Sequence, residues 1–462
     1  MSEALTATRA ALAGQTAWLV GGAVRDRLLG RDIDDLDVVV DEDPRVAARA
    51  LAGAVGGAAF KLSGEFGAWR VVAPQGKWQV DVLALAGPGI EEDLARRDFT
   101  VNAIAEPLAG GEAIDPFGGA DDARRGRLRM VSPAAFADDP LRTLRLARFA
   151  CELSLAPEPE TVAAARAHAD GLAGVAAERV FSELRRIVVA PAVLEGLALM
   201  SQLGLTAAVL PELDAMRGVQ QNRFHHLDVH DHTLAVLDQV VGLEHDPAPL
   251  GEHAAAAAAV LAEPLADELT RGEALRFGAL LHDAAKPRTQ NFTADGHITF
   301  FHHDAEGAQL AADVLGRLCA SQRLRGHVAA LTRHHLLLGF LVHERPLSRR
   351  AVHRYLRTCA PVEVDVTVLS MADRLATRGR NASAAIEAHL ELAGQLLGEA
   401  LRWRADGPPA PLMRGDELTR ELGIACGPEV GRVLAELEAA QFAGEIDDRA
   451  GALRRAQELT SD

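Results

Sequence analysis

Aromatic residues make up only 4% of the 462-residue chain, so its cores must be packed with aliphatic side chains. Alanine and leucine dominate instead, which favours helix over most of the length. Cysteine is scarce as well: Cys151, Cys319, Cys359 and Cys426 are scattered, with no CxxC. That argues for free thiols in a reducing compartment and against a disulfide framework. No run of about 18 apolar residues occurs, and no basic start with an apolar core opens the chain, so the expectation is a cytoplasmic protein with no membrane segment. Positive charge is also short. The net charge of −17 excludes non-specific clinging to nucleic acid, and any RNA contact must come from local basic clusters or metal bridges. Hydrophobic residues at 48% are ample for cores, and the length suits about three or four domains.

What is present is most informative between Ala17 and Val40, AWLVGGAVRDRLLGRDIDDLDVVV. Leu36 and Val38 to Val40 predict a strand, and Asp35 and Asp37 sit two apart on it, so both carboxylates face one side. Side-by-side carboxylates repel unless a cation lies between them, and a divalent metal is the usual answer. Upstream, Leu19 to Gly22 reads as a short strand ending in Gly21-Gly22, with a helix from about Ala23. Backbone amides there can approach a triphosphate closely at a helix N-terminus. Each half alone is equally an ordinary turn or a solvated strand edge. Together in so short a span they suggest a nucleotidyl-transfer site.

Residues 1 to about 106 alternate strand and helix signals, with strands expected at Trp18–Gly21, Leu36–Val40, Ala68–Val72, Trp78–Leu83 and Ala103–Glu106. Asp81 becomes a third carboxylate of the site if its strand lies beside that of Asp35 and Asp37. From about 137 helical periodicity takes over. Arg142, Arg145 and Arg148 recur at steps of three, sharing one helical face; such a stripe is either solvated or invites an anionic partner. Further basic clusters lie at Arg96-Arg97, Arg124 to Arg129 and Arg185-Arg186. The alanine-rich stretch from Glu244 to Glu273 reads as a helical insertion of low information. The tail after about 381 is helical and broken at Gly407-Pro408-Pro409.

Histidines cluster between 225 and 353. His232, His282-Asp283, His303, His335 and Asp373 each sit in a separate amphipathic segment, so a helical bundle can aim them at one centre. Imidazole with carboxylate binds transition metals or magnesium.

These motifs resemble the bacterial tRNA nucleotidyltransferases, the class that includes CCA-adding enzymes and bacterial poly(A) polymerases. The resemblance rests on LVGGAVRD with DLD, on EEDLARRDFTVNAIA from Glu91 to Ala105 and on DPFGG from Asp115 to Gly119. It continues through ADDPLRTLRLARFA from Ala137 to Ala150 and ERVFSELRRI from Glu178 to Ile187. It implies an α+β protein: a polymerase β-like nucleotidyltransferase head with a mixed sheet (1–136), a helical neck (137–222), an HD domain (223–380) and a helical tail (381–462). It implies that Asp35 and Asp37 hold Mg2+, with Asp81 completing the site, for two-metal transfer from CTP or ATP to a tRNA 3′ end. Gly21, Gly22, Arg25, Arg97, Asp98 and Asn102 would bind the incoming nucleotide. Arg145 and Arg148 would join them in nucleotide binding, and Asp139 and Arg142 would read the base. A carboxylate accepts from the exocyclic amine of cytosine or adenine and a guanidinium donates to the neighbouring ring nitrogen, whereas uracil opposes both contacts. Asp138 stands where the family usually has Glu. Arg124, Arg125, Arg127, Arg185 and Arg186 would grip the acceptor arm through phosphates.

Only Ala84 to Ile90 separates the Asp81 strand from Glu91, where the family carries a flexible loop of a dozen or more residues. That shortening resembles the enzymes that add two cytidines and leave adenosine to a partner, so CC addition is expected over complete CCA addition or poly(A) synthesis. The 226–380 region resembles an HD phosphohydrolase, implying metal ligands His232, His282, Asp283 and Asp373, with His303 and His335 beside them, for Mg2+ or a transition metal. The alternatives are that this centre is the main activity, or that the chain binds RNA without catalysis. Oligomeric state is not legible.

Overall fold

The structure is a computed structural model that describes residues 3–33, 35–62, 67–222, 225–378 and 382–460, with the side chains of Asp35 and Ala382 outside the description. The chain forms two compact units, Met1–Val209 and Leu210–Asp462. The head and most of the neck expected from the sequence fall in the first.

The first unit is built on a six-stranded sheet. Its strands are β1 (Ala17–Val20), β2 (Asp35–Val40), β3 (Ala58–Lys61), β4 (Trp69–Val72), β5 (Gln79–Ala84) and β6 (Ala105–Pro107), in the order β3-β4-β5-β2-β1-β6. The sheet is mixed. β2 and β5 run parallel and all other neighbours are antiparallel. The Val-rich runs of β2 and β5 suit strands covered on both faces. Leu36, Val38, Val40, Val71, Val80 and Val82 point into one core, against helices Glu3–Ala11 and Pro44–Val55. The opposite face carries Val20 and Val39, packed with Ile90 and Leu94 of the short helix Ile90–Ala95. Asp37, Asp81 and Arg70 lie on that second face, beyond the cover of the helix. β3 was not foreseen. It is an edge strand of mixed composition whose only partner is β4, and its exposed Phe60 hides the period-two signal. The last expected strand is shorter than read, because Thr100–Asn102 winds into a 3₁₀ turn first.

The neck helices Leu141–Leu153, Ala177–Val189 and Val193–Leu203 pack on one another. Gly196 permits this approach, since a Cβ there would meet Cys151 Sγ at 2.7 Å.

In the second unit, helices Val229–His245, Arg271–Leu281, His303–Arg317, Gln322–His334 and Glu363–Ala376 form a bundle. The alanine-rich stretch is more ordered than an uninformative insertion. It contains a two-stranded hairpin, Pro264–Ala266 with Leu269–Thr270, and a capping box in which Thr270 and Glu273 satisfy each other's backbone N–H groups. The long helix Ala382–Asp406 ends at the expected Gly407-Pro408-Pro409 break, and the tail closes on a small core around Leu418, Val433 and Leu437. No helix among the described residues is long and apolar enough to cross a membrane.

Burial, with Glu152 beside Cys151 and Glu363 beside Cys359, pushes both thiols up to about 12, whereas Cys319 and Cys426 are exposed. Two thiols should therefore react with Ellman's reagent at neutral pH in the native protein and four after denaturation. Three or more fast thiols in the native state would contradict this packing.

Candidate active site and metal centre

In the first unit, strand register assembles the carboxylates. Asp37 of β2 lies directly beside Asp81 of β5, so the strand of the expected third carboxylate does neighbour that of the first pair. Asp35 opens β2, two residues before Asp37; its side chain lies outside the described residues. The turn after β1 closes against this row. Gly21 has φ +66° and caps helix Gly22–Leu28, and a Cβ added to it would meet Arg97 Nη1 at 3.0 Å and Asp37 Oδ2 at 3.5 Å. Only glycine leaves room here, so a cradle lies between a carboxylate and a guanidinium. An oxygen donor facing such a hollow fits a hard divalent cation, and the neighbouring arginine fits phosphate. Asp93 anchors Arg97 one helical turn away, at 3.0 Å to Nη2, while its other oxygen accepts from the Ala86 N–H.

Arg25, Asn102 and Asp98 are buried in a continuous network. Arg25 donates to Asn102 at 2.7 Å, and Asn102 donates to Asp98 at 2.9 Å. Arg145 then grips the second oxygen of Asp98 at 2.6–2.7 Å. Burial alone would raise the Asp98 pKa, but Arg145 and these hydrogen bonds hold it below the usual carboxylate range. Arg145 continues to Glu183 at 3.4 Å, and Glu183 meets Arg148 at 2.7 Å. Arg148 is 3% exposed, and burial pushes its pKa down to about 10. The arginine stripe read from the sequence thus turns inward. Arg145 and Arg148 strut the neck, and Arg25, Arg145 and Arg148 all lie over the Phe149 ring.

Asp139 and Arg142 stand at the start of Leu141–Leu153. Asp139 accepts from the Leu141 N–H and pairs with Arg179 at 2.8 Å. Arg142 donates to the carbonyls of Ala135 and Arg96. Of the basic positions expected to meet RNA, Arg124 and Arg125 are well exposed and pair loosely with Asp121. Arg127 is drawn to buried Asp122 and to Glu158, Arg186 to Glu152, and Arg185 is half-buried.

The second unit brings all six expected ligands together. His232, His282 and Asp283 form one cluster and Asp283, His303 and His335 another, with Asp283 common to both. Asp373 reaches His232 at 3.1 Å. His282, His303 and His335 each use Nδ1 to bond a backbone carbonyl three residues back (Ala279, Phe300 and Thr332, at 2.6–2.8 Å), which leaves Nε2 for the centre. Nε2 of His232, His282 and His303 and both oxygens of Asp283 are buried and make no well-aligned hydrogen bond, although Asp373 lies 3.1 Å from His232 Nε2 and Lys286 Nζ 2.6 Å from Asp283. Such orphaned donors fit one or two bound divalent ions. Burial pushes His335 down to about 3, with His282 beside it adding to the effect. Asp283 is held well below its ordinary value against burial, by His282 and by Lys286, whose Nζ lies at 2.6 Å. A third acidic grouping, Asp228, His230 and Asp231, has an ordinary explanation, since Asp228 is the N-cap of Val229–His245.

Sequence reasoning missed Arg70, Asp93, Arg179, Glu183 and Lys286. Asp93 and Arg97 were findable as an i,i+4 pair, and Lys286 as the cation one turn after Asp283. Arg70, Arg179 and Glu183 act across long sequence separations and carried no local signal.

Comparison with known proteins agrees with this geometry. Residues 17–129 match the poly A polymerase head domain, 154–217 a segment described as "Probable RNA and SrmB- binding site of polymerase A", and 250–378 the HD domain. The chain is 40% identical over 436 residues to an A-adding tRNA nucleotidyltransferase of Deinococcus radiodurans, covering 93% of this chain and 92% of the relative. It is 35% identical to a CC-adding tRNA nucleotidyltransferase of Thermus thermophilus, covering 93% and 90%. In fold it is similar to a Thermotoga maritima CCA-adding enzyme complexed with tRNA, at TM-score 0.62 and 20% identity over 98% of this chain and 94% of that one.

Two outcomes follow from this geometry. Glu183→Ala leaves buried Arg148 with only the more distant Glu152 at 3.6 Å and should cost about 3 kcal/mol of stability, read by urea denaturation. A divalent transition metal should raise the thermal unfolding temperature and chelation should reverse the gain. Asp283→Asn, removing the carboxylate shared by both clusters, should abolish the part of that shift that comes from the second unit.

Proposed function

The chain belongs to the tRNA nucleotidyltransferase family, and we propose that it adds cytidines to the 3′ end of tRNA and stops after two. One observation carries the cytidine limit. β5 ends at Ala84 and the next helix starts at Ile90, so five residues bridge them, and two of those are tied down. Leu85 N–H bonds the Val40 carbonyl at 3.0 Å, and Ala86 N–H bonds Asp93 at 3.1 Å. A pinned connection cannot swing to reshape a base pocket from cytosine to adenine.

In this reading Asp35 and Asp37 hold Mg2+, which when bound polarises the α-phosphate and neutralises the departing pyrophosphate. Asp81 stands beside them in register. The hollow over Gly21 and the Arg97 guanidinium receive the triphosphate, and the first turn of Gly22–Leu28 turns its N–H groups toward it. Arg25, Asn102 and Asp98 hold that pocket's wall through their buried network. Asp139 and Arg142 read the base by exchanging present partners, Arg179 and two main-chain carbonyls, for its amine and ring nitrogen. The exposed Arg124 and Arg125 are candidates for phosphate contacts with the acceptor arm.

A second reading, addition of the terminal adenosine, is favoured by the 40% identity to the Deinococcus A-adding relative; a pinned pocket fits one kind of base in either case. The HD centre is proposed as a metal-dependent phosphohydrolase, supported by the orphaned nitrogens and the shared Asp283.

The test uses two tRNAs, one ending at the discriminator base and one ending in CC, with CTP, ATP or both. Two cytidines on the first and nothing on the second supports CC addition. A single adenosine on the second alone supports A addition. All three nucleotides on the first sinks the inference from the short connection, and long adenosine tails point to poly(A) synthesis.

A further inference from the structure

Arg70, Asp81 and Asp37 occupy one row across three neighbouring strands. β4 pairs with β5 so that Arg70 faces Asp81, and β5 pairs with β2 so that Asp81 lies beside Asp37. Arg70 Nε reaches Asp81 Oδ1 at 2.7 Å and Nη2 reaches Oδ2 at 2.8 Å. This is a bidentate fork, the geometry in which guanidinium binds carboxylate most strongly. With side chains 30% and 20% exposed, the pair is too sheltered to be a loose surface contact and too open to be sealed from solutes. Adjacent strands bring their in-register residues to roughly 5 Å, so Asp81 and Asp37 repel unless positive charge intervenes. For Asp81 that charge is already supplied, and both its oxygens are engaged. A carboxylate so held is not simply waiting for a metal ion.

We propose that Arg70 is a positioning residue of the transferase site, holding Asp81 in competition with divalent metal and so setting how much metal the site requires. The inference rests on the transferase reading of the Asp35/Asp37 row. Its physical content is a contest for one carboxylate. The guanidinium fixes the orientation of Asp81 and cancels its field at Asp37, and metal engages Asp81 only by displacing at least one prong of the fork. A mere strut between β4 and β5 would give the pair no influence on metal affinity.

The experiment measures Mn2+ binding by electron paramagnetic resonance, without nucleotide, on the full-length protein carrying Asp283→Asn to weaken the second centre. Arg70→Gln in that background should bind Mn2+ about tenfold more tightly, the scale of one uncompensated charge a strand spacing away in a half-solvated site. The Mg2+ concentration that half-saturates CTP incorporation onto tRNA should fall by a similar factor. Arg70→Lys, which keeps the charge but loses the fork, should lie between and serves as the readout if Arg70→Gln does not fold. Adding Asp81→Asn to Arg70→Gln should cancel the gain. Unchanged or weaker Mn2+ binding in both folded Arg70 variants would overturn the proposal. Absence of CTP and ATP incorporation by the unmutated protein would instead overturn the transferase reading, independently of the binding result.

Discussion

Carboxylates brought within a strand spacing of one another repel, and the first unit is organised by the ways this repulsion is answered. The parallel pairing of β2 and β5 is the only parallel contact in the sheet, and it puts Asp37 beside Asp81. Hydrophobic Val38, Val40, Val80 and Val82 on the reverse face are fully buried. Slipping the register by one residue would expose them, so the core fixes the acidic row against its own electrostatics. Positive charge then arrives from both flanks: Arg70 on β4 and Arg97 over the Gly21 turn. The same logic recurs deeper, where Asp98 and Glu183 alternate with Arg145 and Arg148. There the charges hold head and neck together as one compact unit.

The second unit solves a related problem with helix ends. A helix leaves its last carbonyls without intrahelical partners. His282 caps Arg271–Leu281 and His335 caps Gln322–His334, and the Nδ1–H of each bonds a carbonyl of the last turn. One hydrogen bond thereby finishes the helix and selects the tautomer. The Nε2 of each ring is then directed at Asp283 without further machinery. Lys286, one turn after Asp283, offsets its charge.

Much of this was legible from local pattern. Asp35 and Asp37 were legible as a pair because strands have period two, although the Asp35 side chain lies outside the described residues, and the glycine pair before a helix marked the turn that Arg97 and Asp37 overhang. The six clustered residues of the second unit were legible as His and Asp in or at the ends of separate helical segments. The stripe of Arg142, Arg145 and Arg148 had the right periodicity but an ambiguous environment. Spacing cannot say whether a face meets solvent or Glu183, which is supplied from another helix. β3 escaped because an edge strand with Phe60 exposed lacks clean alternation. Arg70 escaped because its meaning depends on strand order, and strand order is a property of the closed sheet.

The anchoring of Arg142, the residue proposed to read the base, links it to the rest of the site. Its guanidinium joins the carbonyl of Arg96, just past helix Ile90–Ala95, to that of Ala135, just before its own helix. Arg97, the next residue, is held by Asp93, and Asp93 also pins Ala86 in the short connection from β5. Strand end, connection, Arg97 and Arg142 are therefore joined by a continuous series of short contacts. A longer connection would break this series at Ala86 and free one wall of the pocket to move. With five residues it stays closed; on the proposed reading, the position offered to a base would be set by the sheet itself. Selectivity in such a pocket comes from one rigid arrangement of donor and acceptor, and changing the base it accepts would require moving β5 relative to the helix that follows it.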